Sequence, residues 1–161
     1  MTSIGGSTAE VELAALTRWP TPAAAISREE RLARLTRARS LMTTDAMIIG
    51  AGASLRYFTG VGWNATERLV AMILPRDGEP TMICPRFEQG SLEASLGIPA
   101  GLSLWEEHES PYALSARVLA EWGARSLAID PALSFAMFDA LRAAAPHVDM
   151  PNAAPVVDGC R

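Results

Sequence analysis

The chain has 161 residues, enough for one domain with a buried core, and its composition of 49% hydrophobic and 20% charged residues excludes wholesale disorder. Its net charge of −4 argues against a general nucleic-acid binder, which needs basic surface to displace counterions. No apolar run approaches the roughly 20 residues that a membrane-spanning helix requires.

The N-terminus and the two cysteines indicate the cellular setting. Residues 1–12 carry neither the basic start nor the apolar stretch of a signal peptide. Cys84 falls in an apolar strand pattern and Cys160 is the penultimate residue, so neither suggests a disulfide framework. We therefore expect a cytoplasmic protein that binds neither membrane nor nucleic acid.

Residues 1–22 are predicted to form an arm, and the first strong helix follows it. The arm has a short helical pattern that stops at the prolines within 19–22. Ser27 and Glu30 then form a capping box that begins a helix. Four arginines share one row of this helix: Arg28, Arg31, Arg34 and Arg37. Glutamates lie beside them in an acidic chain, so the row predicts a solvated, ion-paired face rather than a phosphate site.

Strands and helices alternate along the rest of the chain. A strand over 45–50 is followed by a hairpin whose two strands flank Asp77-Gly78. Further predicted elements are helices over 86–96, 111–122 and 134–145, and strands over 102–105, 126–130 and 147–150. This alternation predicts a three-layer α/β/α domain with a mixed sheet over residues 23–154. Residues 155–161, punctuated by proline, are predicted to begin a linker.

The segment 54–68 is the strongest candidate for a functional surface. It lies between two apolar strands and carries Tyr57, Phe58 and Trp63 together with glycines and the pair Glu67–Arg68. Aromatic loops hinged by glycine and held by rigid strands often bind ligands. Core packing explains Tyr57 and Phe58 equally well, whereas Trp63, flanked by Gly62 and Asn64, is the residue least expected to be pure core.

Complete catalytic motifs are missing from the sequence. Gly50-Ala-Gly52 lacks the third glycine of a dinucleotide fingerprint, because Leu55 stands there, so a tight turn from strand to helix is the better interpretation. His108 and His147 have no metal-ligand partners at a recognised spacing, and no G-x-S-x-G elbow exists. We expect no catalytic residue and no metal ligand in this chain.

Several motifs in order carry a family resemblance. They are Glu29-Glu30-Arg31 in the first helix, Leu55-Arg-Tyr-Phe-Thr-Gly60, Glu67-Arg68, Gly78-Glu-Pro80 before Met82-Ile-Cys-Pro85, and Pro155-Val-Val-Asp158 with Arg161. From about residue 22 to residue 161 their order resembles the N-terminal domain of the creatinase, prolidase (Xaa-Pro dipeptidase) and aminopeptidase P family.

The resemblance implies a ribonuclease-H-like domain that precedes a C-terminal pita-bread catalytic domain. In such an enzyme that second domain holds two divalent metals (manganese, cobalt or zinc), and a metal-bridging hydroxide attacks the amide bond before proline. The chain would then be a non-catalytic part, inactive alone, that builds a homodimer and covers a catalytic cleft. Its partners would be its own catalytic domain and a proline-containing dipeptide or peptide.

The resemblance also suggests roles for individual residues. Phe58 or Trp63 would stack near a prolyl ring, and Arg68 would orient a carboxylate, with an ion pair to Glu67 or a neighbouring strand as the alternative for Arg68. His108 would approach the cleft or remain solvated. Two other functions stay open: a stand-alone module that binds a ligand or partner, and a domain of a creatinase-like amidinohydrolase.

Overall fold

The computed structural model describes residues 6–17 and 23–161, which form seven helices, five strands and a 3-10 turn over Arg86–Glu88. The helices are α1 (Ala9–Ala15), α2 (Arg28–Leu41), α3 (Ala53–Thr59), α4 (Gln89–Ser95), α5 (Pro111–Glu121), α6 (Phe135–Ala144) and α7 (Ala154–Gly159). The strands are β1 (Ala46–Gly50), β2 (Ala71–Pro75), β3 (Thr81–Pro85), β4 (Gly101–Trp105) and β5 (Leu127–Ile129).

The five strands form one mixed sheet in the order β4-β3-β2-β1-β5. The three central strands pair antiparallel, and each edge strand pairs parallel to its neighbour. Side chains alternate across a strand, so Met47 and Ile49 of β1 pack on one face while Ala46 and Ile48 pack on the other. Both faces are therefore apolar, and both need a covering layer of helices.

Two helical layers cover the two faces. Buried residues of α2, α3, α4 and α7 join the cluster that contains Met47. Buried residues of α5 and α6 join the cluster that contains Ile48. The predicted three-layer α/β/α domain with a mixed sheet is confirmed. None of the helices among the described residues has the length and hydrophobicity to cross a membrane.

Serine caps begin three of the helices where the sequence predicts them. The hydroxyl groups of Ser27, Ser110 and Ser134 each accept a hydrogen bond from the backbone amide three residues later. The Glu30 side chain does not complete the capping box, since it forms an ion pair with Arg34 instead. The Asp77-Gly78 hairpin is also present, with Gly78 at a φ of 103°.

The arginine row of α2 is ion-paired at Arg34, as predicted, but it also donates hydrogen bonds to backbone carbonyl groups. Arg31 donates to the carbonyl oxygen of Arg56 at 3.0 Å, and Arg34 donates to that of Tyr57 at 2.7 Å. Arg37 donates to the carbonyl oxygen of Gly159 at 2.9 Å. Carbonyls at the end of a helix lack intrahelical partners, and cations there are favourable. The row therefore fastens α2 to α3 and α7.

Three predicted elements are corrected. The first part of the segment 54–68 is helical, since α3 extends to Thr59. Residues 147–150 form no strand, because Asp149 makes only an isolated bridge to Ser126. Residues 155–161, predicted to begin a linker, lie mostly in α7, which packs Val156 and Val157 into the core. Pro155 lies in the first turn of α7, where its missing amide costs nothing.

The described part of the arm stands apart from the core. Thr8 caps α1, and no residue of this helix is buried. Its apolar side chains Val11, Leu13 and Leu16 are exposed. The predicted stop at the prolines lies outside the described residues.

Candidate functional site

An open cleft of about 460 Å³ lies between the segment that follows α3 and the start of α4. Its lining contains an aromatic ring, an amide, two hydroxyls, a guanidinium and a carboxylate, from Gly62, Trp63, Asn64, Thr66, Arg68, Val70, Glu88 and Ser91. Small-ligand sites have this size and combine an apolar wall with a few polar groups. This cleft is the candidate site.

Glycine turns hold the cleft segment at its root. Gly60, with a φ of 92°, ends α3 in the left-handed conformation that favours glycine. The amide of Gly97 donates to the carbonyl oxygen of Thr59 at 2.7 Å, which ties this end to the loop after α4. Val61 is fully buried in the core cluster that contains Met47, and Trp63 is half-buried against that cluster. Residues 64–67 are exposed, so the loop is fixed at its ends and accessible in its middle.

Arg68 is already paired inside the cleft. Its Nε donates to Glu107 Oε1 at 2.9 Å, and its Nη1 donates to Glu67 Oε1 at 2.8 Å. The hydrogen bond and charge of Glu107 raise the pKa of Arg68, and Glu67 and Glu88 add to the effect. The geometry therefore matches the ion-pair alternative for Arg68 rather than a guanidinium waiting for a ligand carboxylate.

The loop after β4 supports this arrangement. Glu106 pairs with Arg86 at 2.6 Å, and its backbone amide donates to Glu109 Oε2 at 2.9 Å. These contacts hold Glu107 opposite Arg68. His108 is exposed in the same loop and does not line the cleft.

The predicted site residues divide into two groups. Trp63, Asn64 and Arg68 line the cleft, and Glu67 joins them through its ion pair. Tyr57 and Phe58 lie on α3 instead. Phe58 is fully buried, and its ring meets that of Tyr57 edge-on at 4.9 Å between centroids.

Tyr57 belongs to the packing of the helices. Its hydroxyl donates to the carbonyl oxygen of Cys160 at 2.5 Å, and the guanidinium of Arg34 lies 4.1 Å from its ring centroid. Stacking of this kind is a cation–π contact. Tyr57 therefore joins α3 to α2 and α7.

Sequence reasoning missed the residues from the other wall. Glu88 and Ser91 line the cleft, and Phe87 stands beside it, 64% exposed, with Arg68 5.8 Å from its ring centroid. These three residues fall in a predicted helix start, where no motif singled them out. A phenylalanine between the charged residues Arg86 and Glu88 was the signal that the sequence offered.

Residues 6–17 and 23–161 form no metal-binding site and contain no reactive thiol. No three His, Cys, Asp or Glu side chains there converge as a metal ion requires. Burial raises the pKa of the Cys84 thiol to about 12, and it also raises the pKa of Cys160. Both thiols remain protonated near neutral pH, and a protonated thiol is a poor nucleophile.

Asp130, after β5, is a buried carboxylate outside the cleft. It is 1% exposed, and its Oδ1 accepts from the amide of Ala132 at 3.0 Å. Its Oδ2 has no hydrogen-bond partner among the described residues. Burial raises the pKa of Asp130, although the amides of Ala132 and Gly50 and the charge of Arg161 act against this.

Comparison with known proteins gives matches in family, sequence and structure. Residues 29–161 match the model of the creatinase/prolidase N-terminal domain. The "Probable dipeptidase PepE" of Mycobacterium tuberculosis is 35% identical over 83 residues, which are 48% of this chain and 22% of that protein. The chain thus spans about a fifth of the length of this curated relative.

Solved structures share the fold. The dipeptidase PepE of Mycobacterium ulcerans superposes with a TM-score of 0.75 and 26% identity, covering 86% of this chain and 38% of that chain. The prolidase of Thermococcus sibiricus gives 0.72 and 23%, with the same coverage. The creatinase/prolidase N-terminal domain of an X-Pro dipeptidase from Streptococcus pyogenes gives 0.68 and 19%, covering 79% of this chain and 98% of that chain.

Proposed function

Because the chain belongs to the creatinase/prolidase family through its N-terminal domain, we propose that it is the non-catalytic domain of a Xaa-Pro dipeptidase-like hydrolase. In this proposal the domain builds a homodimer and presents the cleft around Trp63 to the catalytic centre. The parent enzyme would hydrolyse the amide bond before proline. Its relatives named as dipeptidases and prolidases support the choice of reaction class.

We place the two divalent metals of the proposed enzyme in its catalytic domain. Among the described residues of this chain, no cluster of three potential ligands is present. The contribution left to this chain is shape and charge: an aromatic wall at Trp63, an amide at Asn64, and charged groups at Arg68 and Glu88. Such groups position a substrate and exclude water from it.

The single observation that carries the proposal is the half-buried Trp63 beside an open cleft on a rigid base. An indole face suits the rigid, apolar ring of proline. The middle of the segment, over 64–67, is exposed, as a surface that meets a neighbouring domain must be.

Trp63→Ala in the full-length protein tests the proposal. We expect kcat/KM on Xaa-Pro dipeptides to fall about tenfold, which corresponds to about 1.4 kcal/mol of lost transition-state binding. Trp122→Ala is the matched control, because Trp122 is also partly exposed but lies at the end of α5, away from the cleft. Unchanged kinetics for Trp63→Ala, with the dimer intact by sedimentation, would overturn the covering role.

A stand-alone binding module is the second candidate, because the cleft is formed entirely by this chain and already has the volume of a small-ligand site. A creatinase-like amidinohydrolase is the remaining alternative. Activity of the full-length protein on an amidino substrate, with none on Xaa-Pro dipeptides, would favour it. Cleavage of a Xaa-Pro dipeptide by the purified 161-residue chain with manganese would contradict the non-catalytic role.

A further inference from the structure

Glu88 presents a carboxylate to the cleft that the fold does not use. It occupies the N-cap position of α4, yet its side chain makes no capping hydrogen bond. It also forms none of the ion pairs found among the described residues. A half-buried carboxylate that lines a cleft without serving its own helix is available to a ligand.

The only cation in the cleft lining, among the described residues, is already neutralised. Arg68 contacts the carboxylates of Glu67 and Glu107 at 2.8 and 2.9 Å. Glu88 lies close enough to act on the charge of Arg68 as a third carboxylate. Three negative groups around this guanidinium leave an excess of one negative charge even when Arg56, whose side chain lies beside Gly62, is counted. A cationic ligand group is therefore favoured there over a carboxylate.

Trp63 supplies a wall that suits the same ligand. An aromatic face attracts an ammonium group and also packs against an aliphatic side chain. The cleft volume of about 460 Å³ accommodates a ligand as small as a dipeptide. The hydroxyls of Thr66 and Ser91 and the amide of Asn64 can accept the N–H groups of such a ligand.

We propose that this cleft binds the protonated amino end of a short peptide, with Glu88 as its counter-ion and Trp63 against the prolyl ring that follows. The inference rests on the proposed function, since it assigns one end of the substrate to this domain. It makes Glu88 a specificity residue for peptides with a free amino group.

The first experiment compares alanyl-proline with N-acetyl-alanyl-proline as probes for the 161-residue chain. Backbone amide shifts in NMR report binding, and we expect those of Trp63, Asn64, Glu88 and Ser91 to move. The free dipeptide is expected to bind about tenfold more tightly, because acetylation removes the positive charge. Its affinity should fall above about pH 8, where an α-amino group loses its proton, while that of the acetylated peptide stays constant.

Glu88→Gln tests the assigned residue with little change in shape. We expect it to bind the free and acetylated dipeptides equally, with affinity for the free one reduced about tenfold. Glu79→Gln is the matched control, because Glu79 is exposed beside the hairpin turn, outside the cleft, and its loss removes the same charge. This control should retain the full preference for the free amino group.

The outcomes separate this inference from the proposed function. Equal binding of both dipeptides by the unmodified chain, or a preference retained in Glu88→Gln, would overturn the assignment of the amino end. If Trp63→Ala still lowered turnover in the full-length protein, the proposed covering role would stand even though the amino end of the peptide is not bound by Glu88. Absence of any binding to the unmodified chain would also overturn the inference, and the kinetics of Trp63→Ala would then decide the proposed function alone.

Discussion

Tyr57 shows how a residue of a suspected binding loop can serve the fold instead. Its hydroxyl reaches the carbonyl oxygen of Cys160, which is 103 positions later in the chain. We expect Tyr57→Phe to lower the free energy of unfolding by about 1 kcal/mol, the usual net contribution of one such hydrogen bond. Urea unfolding measures the change.

Tyr112→Phe is the control for this prediction. Tyr112 is also half-buried, against the other core cluster, but none of the side-chain hydrogen bonds among the described residues involves its hydroxyl. Its substitution should leave the free energy of unfolding within about 0.5 kcal/mol of the unmodified protein. Equal effects at the two tyrosines would contradict the role given to Tyr57.

Because the carboxyl group of Asp130 is buried, we expect the free energy of unfolding to depend on pH. Burial raises its pKa above the ordinary value of 3.8, so the folded state holds this proton more readily than the unfolded state. Its contribution to stability is fully present below about pH 3.8 and is lost as the pH rises through the folded pKa. Asp130→Asn removes the titration. As the pH rises from about 3.5 to 7, the unmodified protein should lose stability relative to this variant.

Urea unfolding of both proteins at several pH values tests the prediction for Asp130. Asp77→Asn is the control, since Asp77 is exposed in the hairpin turn and its substitution removes the same kind of charge. Its difference from the unmodified protein should stay flat over the same range. A flat difference for Asp130→Asn would mean that the buried carboxylate titrates equally in the folded and unfolded states.

At the scale of elements, two glycines near α4 predict opposite effects of the same substitution. A Cβ on Gly97 would lie 3.0 Å from the carbonyl oxygen of Thr59 and 2.9 Å from Nε of Arg31. Gly97→Ala should therefore destabilise the protein by about 1–3 kcal/mol. Gly90, inside α4, has open space at the same position, and Gly90→Ala should stabilise by up to about 1 kcal/mol through helix propensity.

Thermal unfolding of the two alanine variants distinguishes these effects by sign. A neutral Gly97→Ala would mean that Arg31 and the end of α3 move aside without cost. Because Gly97 and Thr59 form part of the base of the cleft segment, the variant should also weaken peptide binding there. Gly90→Ala should leave that binding unchanged.

Elements set by local chemistry were predictable from the sequence. The caps at Ser27, Ser110 and Ser134 and the turn at Asp77-Gly78 depend on neighbours within a few residues, so their signals are complete in short stretches. The helix α7 was not predictable in this way. Pro155 is a helix breaker in the interior but a good first-turn residue, and only packing of Val156 and Val157 against distant residues decides between the two.

The candidate site was half predictable for the same reason. Trp63, Asn64, Glu67 and Arg68 share one segment, and their composition already set it apart. The opposite wall comes from Glu88 and Ser91, with Phe87 beside it, about 20 residues later, and only the fold brings it near. Tyr57 and Phe58 do not line the cleft with Trp63 because they belong to the helix α3. The seven residues of this helix are too few to show a clear periodic pattern in the sequence.

For the whole molecule, the sheet with apolar faces on both sides explains why the last helix is part of the domain. α7 shares one face of the sheet with α2, α3 and α4, and Val156, Val157 and Cys160 are at most 7% exposed. Arg37 and Tyr57 also donate to its final carbonyls. In the described part of the arm at the other end, residues 6–17, no residue of α1 is buried.

This asymmetry predicts the effect of shortening the chain at either end. Removal of residues 154–161 would expose the apolar groups beneath α7 and delete three hydrogen bonds to α2 and α3. Each buried valine contributes about 1.5–3 kcal/mol and each hydrogen bond about 1, so the loss should be on the order of 5 kcal/mol. A loss of that size approaches the whole stability of many domains.

Removal of residues 1–17 is the matched deletion, and we expect it to change the free energy of unfolding by less than about 0.5 kcal/mol. Circular dichroism and the dispersion of NMR amide signals would follow both proteins under identical conditions. The deletion at the C-terminal end should give a largely unfolded chain, because the apolar surface it exposes belongs to the central cluster of the sheet rather than to an appended layer. A folded chain of undiminished stability after removal of 154–161 would show that α2 and α3 close this face without α7.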